Sequence, residues 1–172
     1  MTIVTRTLGL ALALGTLTAV GAGAQDLGSA EGDVILTVSG GIENTNGDGT
    51  ASFDLAMLQA MEPVTIETST IWTEGPQTFT GVPLATLMET VGATGDTISA
   101  TAINDYAVEI PREDWVEGGP IVAYLNNGEE MSVREKGPLW VIYPFDSDPE
   151  YQTEVIYSRS IWQLDRIVVE ED

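Results

Sequence analysis

The chain has 172 residues and a formal net charge of −21, because 27 Asp and Glu residues are set against only six Lys and Arg. A surface this acidic repels phosphate backbones, which argues against nucleic acid as a partner. The chain contains neither Cys nor His, which excludes disulfides, thiolate nucleophiles, Ser-His-Asp triads and zinc sites of the usual ligand types. Its length is that of one domain.

Residues 1–24 are predicted to be a signal peptide. Arg6 supplies the positive start, residues 8–20 form an apolar run broken only by Gly and Thr, and Ala22-Gly23-Ala24 is a small-residue cleavage site. A membrane-spanning helix is the alternative, but the run is shorter than the roughly 20 apolar residues that a span requires. We therefore expect cleavage after Ala24, an exported domain at residues 25–172, and no stable membrane anchor after cleavage.

A small, polar arm at residues 25–33 precedes the first of seven predicted strands. The strands are predicted where apolar and polar residues alternate or where a short apolar run occurs. They comprise residues 34–38, 64–71, 97–103, 106–110, 121–125, 139–143 and 164–169.

Two short helices are predicted between these strands. Asp54 is placed to cap a helix at residues 54–61, and Pro83 to begin a helix at residues 83–91 that ends at Gly92. Residues 72–81, "WTEGPQTFTG", are predicted to form a long loop, and residues 111–119 one helical turn. Residues 155–163 are compatible with either a helix or an extended chain.

Strands therefore dominate, the helices are short, and hairpin turns replace regular strand–helix alternation. This pattern predicts an α+β fold built on a mixed sheet or a small barrel, rather than a doubly wound fold. Neither an internal repeat nor a linker is evident, so residues 25–172 are expected to form a single domain.

The segment "ENTNGDGTASFD" imitates the first half of a calcium-binding loop. Asn44, Asn46 and Asp48, followed by Gly49, supply oxygen atoms at suitable spacing. Such a loop requires a bidentate Glu at its twelfth position, and that position holds Leu55. A turn is therefore the favoured interpretation, since Asn and Gly adopt left-handed geometry readily.

Aromatic residues are the first candidates for a binding site. Trp72 lies at the end of a predicted strand, where an exposed indole can stack on a flat ring. Trp140 and Tyr143 fall on opposite faces of a strand, so only one of these faces needs to belong to the core. Packing in the core is the alternative for each of these rings. Tyr106 follows Asp105 in a turn, where the carboxylate either faces a ligand or stabilises the turn itself.

The few basic residues are the second set of candidates. Arg134 and Lys136 lie just before the Gly137-Pro138 corner, and Arg159 lies beside Ser158 in "YSRS". If these segments converge, they form a donor-rich pocket in which Arg binds planar or bidentate groups. The alternative is that these basic residues form salt bridges with the many carboxylates. Two others, Arg112 and Arg166, are expected to form ordinary surface ion pairs.

Several segments together resemble the molybdopterin-binding domain of sulfite-oxidase-type oxidoreductases. They are "VTIETSTIW", "FTGVPLATLMETVGA", "ATAINDYAVEIPREDW", "PIVAYLNNGEEMSVREKGPLWVIYP" and "YSRSIWQLDRIVV". The resemblance covers residues 34–169 and implies the fold of that domain, with short helices on a mixed sheet or small barrel. Two departures matter: "ETSTIW" stands where the family's enzymes carry the molybdenum-binding Cys, and Trp140 stands where an Arg is common.

The chain is most similar to a Cys-less, periplasmic, pterin-binding branch of this fold. That resemblance implies a periplasmic, non-catalytic protein that binds a reduced, molybdenum-free pterin and signals through the periplasmic region of a membrane cyclic-di-GMP enzyme. Aromatic residues would stack on the ring, Asp105 would accept from its aminopyrimidine edge, and Arg134, Arg159 and Ser158 would donate to its carbonyl and tail. The predicted site comprises Trp72, Asp105, Tyr106, Arg134, Lys136, Trp140, Ser158 and Arg159.

Two other functions remain open at this point. One is a molybdopterin-dependent oxidoreductase or a subunit of one, which the missing Cys disfavours because molybdenum chemistry in this family uses a soft thiolate. The other is an interaction domain that binds a partner without any ligand.

Overall fold

The computed structural model describes residues 26–171, so the predicted signal peptide lies outside the described residues. Within these residues, ten strands form two five-stranded sheets, and three short α-helices connect them. The strands are β1 (Leu36–Gly40), β2 (Ala51–Phe53), β3 (Val64–Ser69), β4 (Pro76–Pro83), β5 (Thr97–Ala102), β6 (Ala107–Pro111), β7 (Ile121–Asn126), β8 (Glu129–Glu130), β9 (Trp140–Ile142) and β10 (Leu164–Glu170).

The first sheet is mixed and has the strand order β2-β1-β10-β5-β6. Its parallel pair joins β1 to β10, with Val38 opposite Ile167, and the other pairs are antiparallel. Along β1, Leu36 and Val38 are fully buried while Thr37 between them is half-buried. This alternation is the period-2 pattern that places one face of a strand against the core.

The second sheet is antiparallel and has the order β3-β4-β7-β8, with β9 also paired to β7. The prediction of a loop at residues 72–81 is therefore wrong for most of that segment, because Pro76–Pro83 is the central strand β4. Gly81 allows β4 and β7 to approach closely, since a Cβ there would lie 2.2 Å from the Val122 carbonyl oxygen. Pro76 and Gly81, which indicate a loop in the sequence, lie within this strand.

The three helices begin and end at recognisable signals. The predicted cap of α1 (Leu55–Gln59) is confirmed, because the Asp54 side chain accepts a hydrogen bond from the Met57 amide. Helix α2 (Leu84–Val91) follows Pro83 and ends at Gly92, whose φ of 64° is left-handed. The ambiguous segment at residues 155–163 contains α3 (Glu154–Arg159).

One hydrophobic core joins the two sheets and contains side chains from both, among them Leu36, Phe79 and Trp140. The prediction of mixed α+β architecture agrees with this arrangement, whereas the described residues form two open sheets and no closed barrel. Among residues 26–171 no helix is both long and apolar enough to cross a membrane.

Candidate functional site

Trp72 is the centre of an aromatic cluster. Its ring centroid lies 5.6 Å from that of Trp162, 5.8 Å from those of Trp140 and Tyr157, and 6.3 Å from that of Phe145. All four contacts are edge-on, and such pairs contribute about 0.5–1.5 kcal/mol each beyond the burial of area. The half-buried Trp72 indole is therefore held in one orientation by its neighbours.

A cavity of about 410 Å³, here called the aromatic cavity, opens beside this cluster. Its volume is within the range of roughly 300–1,000 Å³ that is usual for small-molecule sites. The structure brings three of the predicted site residues together there, with four that the sequence did not single out. Its aromatic and polar lining consists of Trp72, Tyr106, Tyr157, Trp162, Asn104, Ser158 and Ser160.

The polar groups of the aromatic cavity are partly engaged within the protein. The Ser158 hydroxyl donates to the Val155 carbonyl at 2.6 Å, so Ser158 presents an acceptor to the cavity rather than the predicted donor. Asn104 accepts a hydrogen bond from the Tyr106 amide at 3.2 Å through its side-chain oxygen, which leaves its amide nitrogen as a donor. The cavity thus offers both a donor and an acceptor beside its rings.

Trp140 contacts the Trp72 ring but does not line the aromatic cavity. It is 1% exposed, and its indole nitrogen donates to the Ser160 carbonyl at 3.1 Å. Tyr143, on the opposite face, is fully buried too. The interpretation that one face of this strand is free is therefore wrong: side chains on both faces of this segment belong to the buried core. The edges of β9 are paired as well, with β7 and with Trp162.

Arg134, Lys136 and Trp140 line a second cavity of about 430 Å³, here called the polar cavity. The Lys136 ammonium lies 5.5 Å from the ring centroid of Trp140 and 5.7 Å from that of Trp162, which is a cation–π geometry. Within residues 26–171, Arg134 has no ion-pair partner. The side-chain oxygen of Asn126, which lines the same cavity, is buried without a hydrogen-bond partner among these residues.

Asp105 and Arg159 line neither of these two cavities, and each has a partner within the protein. Asp105 is exposed and pairs with Arg166. Arg159 forms a 3.0 Å salt bridge with Asp114. The basic segments therefore do not converge on one pocket. Arg134 and Lys136 line the polar cavity, whereas Arg159 forms a salt bridge within the protein, which is the alternative that the sequence left open.

Residues 67–72 are the segment that the sequence resemblance places at the position of the family's metal-binding Cys. Thr68 is 1% exposed, and its hydroxyl oxygen accepts from the Asp146 amide at 3.1 Å. The Thr70 hydroxyl is engaged with Thr73 at 2.8 Å and with the Trp72 amide at 3.1 Å. These hydroxyls are hard and already hydrogen-bonded, so they do not fit a molybdenum centre that is held by a soft thiolate.

The calcium-like segment forms a turn that is held by hydrogen bonds within the segment and to the end of α2. The Asn44 amide donates to the Thr90 carbonyl at 2.8 Å, and Asn46 exchanges two hydrogen bonds with Ser52. Among residues 26–171, three or more Asp, Glu, His or Cys side chains do not gather anywhere in a geometry suited to a metal ion.

Sequence reasoning missed four residues of the aromatic cavity, which are Asn104, Tyr157, Ser160 and Trp162. Asn104 belongs to the same turn between β5 and β6 as Asp105, which adopts a left-handed backbone conformation with a φ of 66°. Trp162 is 38% exposed and precedes Gln163, another residue with positive φ. The turn at residues 104–105 could have identified Asn104 as a candidate, because turn residues are often exposed. No local sequence feature distinguishes Trp162 from a core tryptophan.

No family model matches the chain, and no curated protein matches it. Among solved structures, the chain is similar to the sulfane dehydrogenase SoxCD from Paracoccus pantotrophus, with a TM-score of 0.60 and 17% sequence identity. The match covers 80% of this chain and 38% of that one. At this identity the similarity shows the fold alone: most of this chain shares the fold of a part of that dehydrogenase.

Proposed function

We propose that this protein binds a reduced, molybdenum-free pterin in the aromatic cavity and performs no redox chemistry on it. The observation that carries the proposal is the cavity itself, where four aromatic rings surround a space of about 410 Å³. A pterin is a flat, polar heteroaromatic ring, and aromatic walls bind such a ring by stacking and edge contacts.

The polar groups at the cavity complement a pterin edge. A pterin carries an amino group and ring N–H donors together with a carbonyl acceptor. The Ser158 hydroxyl oxygen is placed as an acceptor for a donor of the ring, and the Asn104 amide nitrogen as a donor for its carbonyl. Both groups lie on surface turns or helix ends, so ligand binding requires no buried charge.

The expected role is in signalling from the periplasm. The ligand-bound protein would dock on the periplasmic region of a membrane enzyme that makes or breaks cyclic di-GMP, as the sequence resemblance implies. Tyr106 is 55% exposed and Trp162 is 38% exposed at the mouth of the aromatic cavity. A partner that contacts these two rings would sense whether the cavity is filled.

Calorimetry under anaerobic conditions tests the binding, with a tetrahydropterin as titrant and a chelator present. We expect one ligand per chain, and weaker binding by Tyr106→Ala, which removes an exposed ring at little risk to the fold. Val155→Ala is the matched control, since Val155 is also 55% exposed but is absent from the cavity lining. The proposal fails if high micromolar tetrahydropterin gives no heat.

A molybdopterin-dependent oxidoreductase, or a subunit of one, is the second candidate function. The shared fold with a sulfane dehydrogenase favours it, while the absence of Cys from the chain weighs against it. Molybdenum analysis of protein purified from its native host decides between them. Stoichiometric molybdenum would overturn the first proposal. A third function, that of a ligand-free interaction domain, would be supported by a stable partner complex whose formation is unaffected by added pterin.

A further inference from the structure

A third cavity, of about 570 Å³, has a strongly acidic lining. It adjoins the polar cavity, with which it shares Glu130 and Met131, and the basic side chains Arg134 and Lys136 belong to the polar cavity only. The third cavity lies where the arm before β1 crosses α1, β7 and β8. Glu31, Asp33 and Glu130 contribute exposed carboxylates to its rim, and neither Lys nor Arg is among its lining residues in the described part of the chain. Its rim therefore carries unbalanced negative charge.

Asp54 builds the rim by holding the arm against α1. Its carboxylate accepts hydrogen bonds from the amides of Glu31 at 2.9 Å, Gly32 at 2.8 Å and Met57 at 2.9 Å. Asp54 is 4% exposed and its oxygen atoms are occupied by these amides. The arm that looks frayed in the sequence is thus fixed at this point, and Glu31 and Asp33 are presented beside the cavity.

Tyr124 provides a second and independent indication of a ligand. It lies on β7, is 3% exposed, and lines this cavity. Within residues 26–171 its hydroxyl has no hydrogen-bond partner, and the oxygen atom is not fully buried. The hydroxyl is therefore available to a ligand in the cavity that the side chain lines. Burial raises the pKa of Tyr124, so the hydroxyl stays neutral and is able to accept as well as donate a hydrogen bond.

The rest of the cavity lining is partly apolar. Apolar side chains are supplied by Ile35, Leu55, Met131 and Pro138. A ligand that matches this arrangement has an aliphatic stem, which removes apolar surface from water, and a cationic head, which meets the carboxylates and the Tyr124 hydroxyl. The carboxylates would repel an anionic ligand, and a purely apolar ligand would leave them without a partner.

We propose that this cavity binds an alkylammonium or alkylguanidinium group, with the cation between the Glu130 and Asp33 carboxylates and the Tyr124 hydroxyl. The same chemistry is supplied by a free amine or by a Lys or Arg side chain of a peptide. The site shares no lining residue with the aromatic cavity, so the proposal stands independently of pterin binding.

Calorimetry on the mature chain at low ionic strength tests the proposal with two probes, free agmatine and a blocked Gly-Arg-Gly peptide. We expect binding that weakens about tenfold or more in the double variant Asp33→Asn, Glu130→Gln, and several-fold in Tyr124→Phe. The matched control is Asp48→Asn, Glu150→Gln, which removes the same charge from exposed positions outside this cavity. Far-UV circular dichroism verifies that each variant is folded.

Each outcome bears on the proposal. Binding of agmatine that is lost in the cavity variants and kept in the control supports a free amine as the ligand. Binding of the peptide alone, with the same dependence, supports a basic side chain of a partner. Absence of binding by both probes overturns the proposal, and so does equal weakening in the cavity and control variants, which would show a general charge effect.

Discussion

Arg159 and Asp114 form a salt bridge in which the guanidinium nitrogen lies 3.0 Å from the carboxylate oxygen. The Tyr143 hydroxyl donates to the same oxygen at 2.7 Å. Burial, with this hydrogen bond to Asp114, raises the pKa of Tyr143 well above its ordinary value, so its hydroxyl remains a donor. The network joins the turn after β6, the end of β9 and the end of α3, which makes Arg159 a structural residue.

Asp114→Ala is therefore expected to lower the free energy of unfolding by about 1–3 kcal/mol, because it leaves a largely buried hydroxyl and a guanidinium without their acceptor. Urea denaturation followed by tryptophan fluorescence measures this loss. Asp96→Ala is the control, since its 3.7 Å pair with Arg112 is exposed and such pairs contribute about 0–1 kcal/mol. Equal losses of unfolding free energy in Asp114→Ala and Asp96→Ala would contradict a structural role for the network around Asp114.

Lys136 is expected to stabilise the aromatic cluster through its ammonium group. Lys136→Gln removes the cation over Trp140 and Trp162, and we expect it to reduce the free energy of unfolding by about 0.5–1 kcal/mol. Lys136→Arg keeps a cation and should retain most of this stability. A Gln variant as stable as the Arg variant in urea denaturation would show that the ring contacts contribute nothing.

The fold was predictable where the signal is local. Asp54 and Gly92 mark the start of α1 and the end of α2 because a side-chain cap and a left-handed residue are local requirements. Strand β4 was not predicted, since its Gly and Pro residues indicate a loop and its state is decided by pairing with both β3 and β7. Tertiary contacts override propensity in such a strand.

The site was predictable only in part for a related reason. Trp72 and Tyr106 are conspicuous in the sequence, and both line the aromatic cavity. The partners of the charged candidates are distant in the chain: Asp114 lies 45 residues from Arg159, and Arg166 lies 61 residues from Asp105. Sequence alone cannot tell which of 27 carboxylates meets which of six cations, and therefore cannot distinguish a ligand-binding Arg from a paired one.

Asn104 and Asp105 are neighbours that we expect to differ in their effect on pterin binding. Asn104 lines the aromatic cavity, whereas Asp105 pairs with Arg166 outside it. Asn104→Ala is expected to weaken tetrahydropterin binding about three- to tenfold, the effect of one lost hydrogen bond. Asp105→Asn, which suits the left-handed backbone there, should bind like the wild type in calorimetry. If Asp105→Asn weakened tetrahydropterin binding and Asn104→Ala did not, Asp105 rather than Asn104 would belong to the binding site.

Asp54, which holds the arm at the cavity of about 570 Å³, makes the stability of the fold depend on pH. Amide hydrogen bonds, chiefly from Gly32 and then from Met57, hold the pKa of Asp54 below its ordinary value of 3.8. A group whose pKa is lower in the folded state stabilises the protein above the unfolded-state pKa, and this stabilisation is lost as the pH falls through the folded-state value.

Asp54→Asn is therefore expected to have a lower thermal midpoint than the wild type at neutral pH, with the difference shrinking once the pH falls below 3.8. Thermal unfolding followed by circular dichroism, from neutral pH downward as far as the fold persists, measures this difference. Asp48→Asn, at an exposed position, should show no such change. A difference between wild type and Asp54→Asn that stays constant on acidification would mean that the ionised carboxylate does not hold the arm.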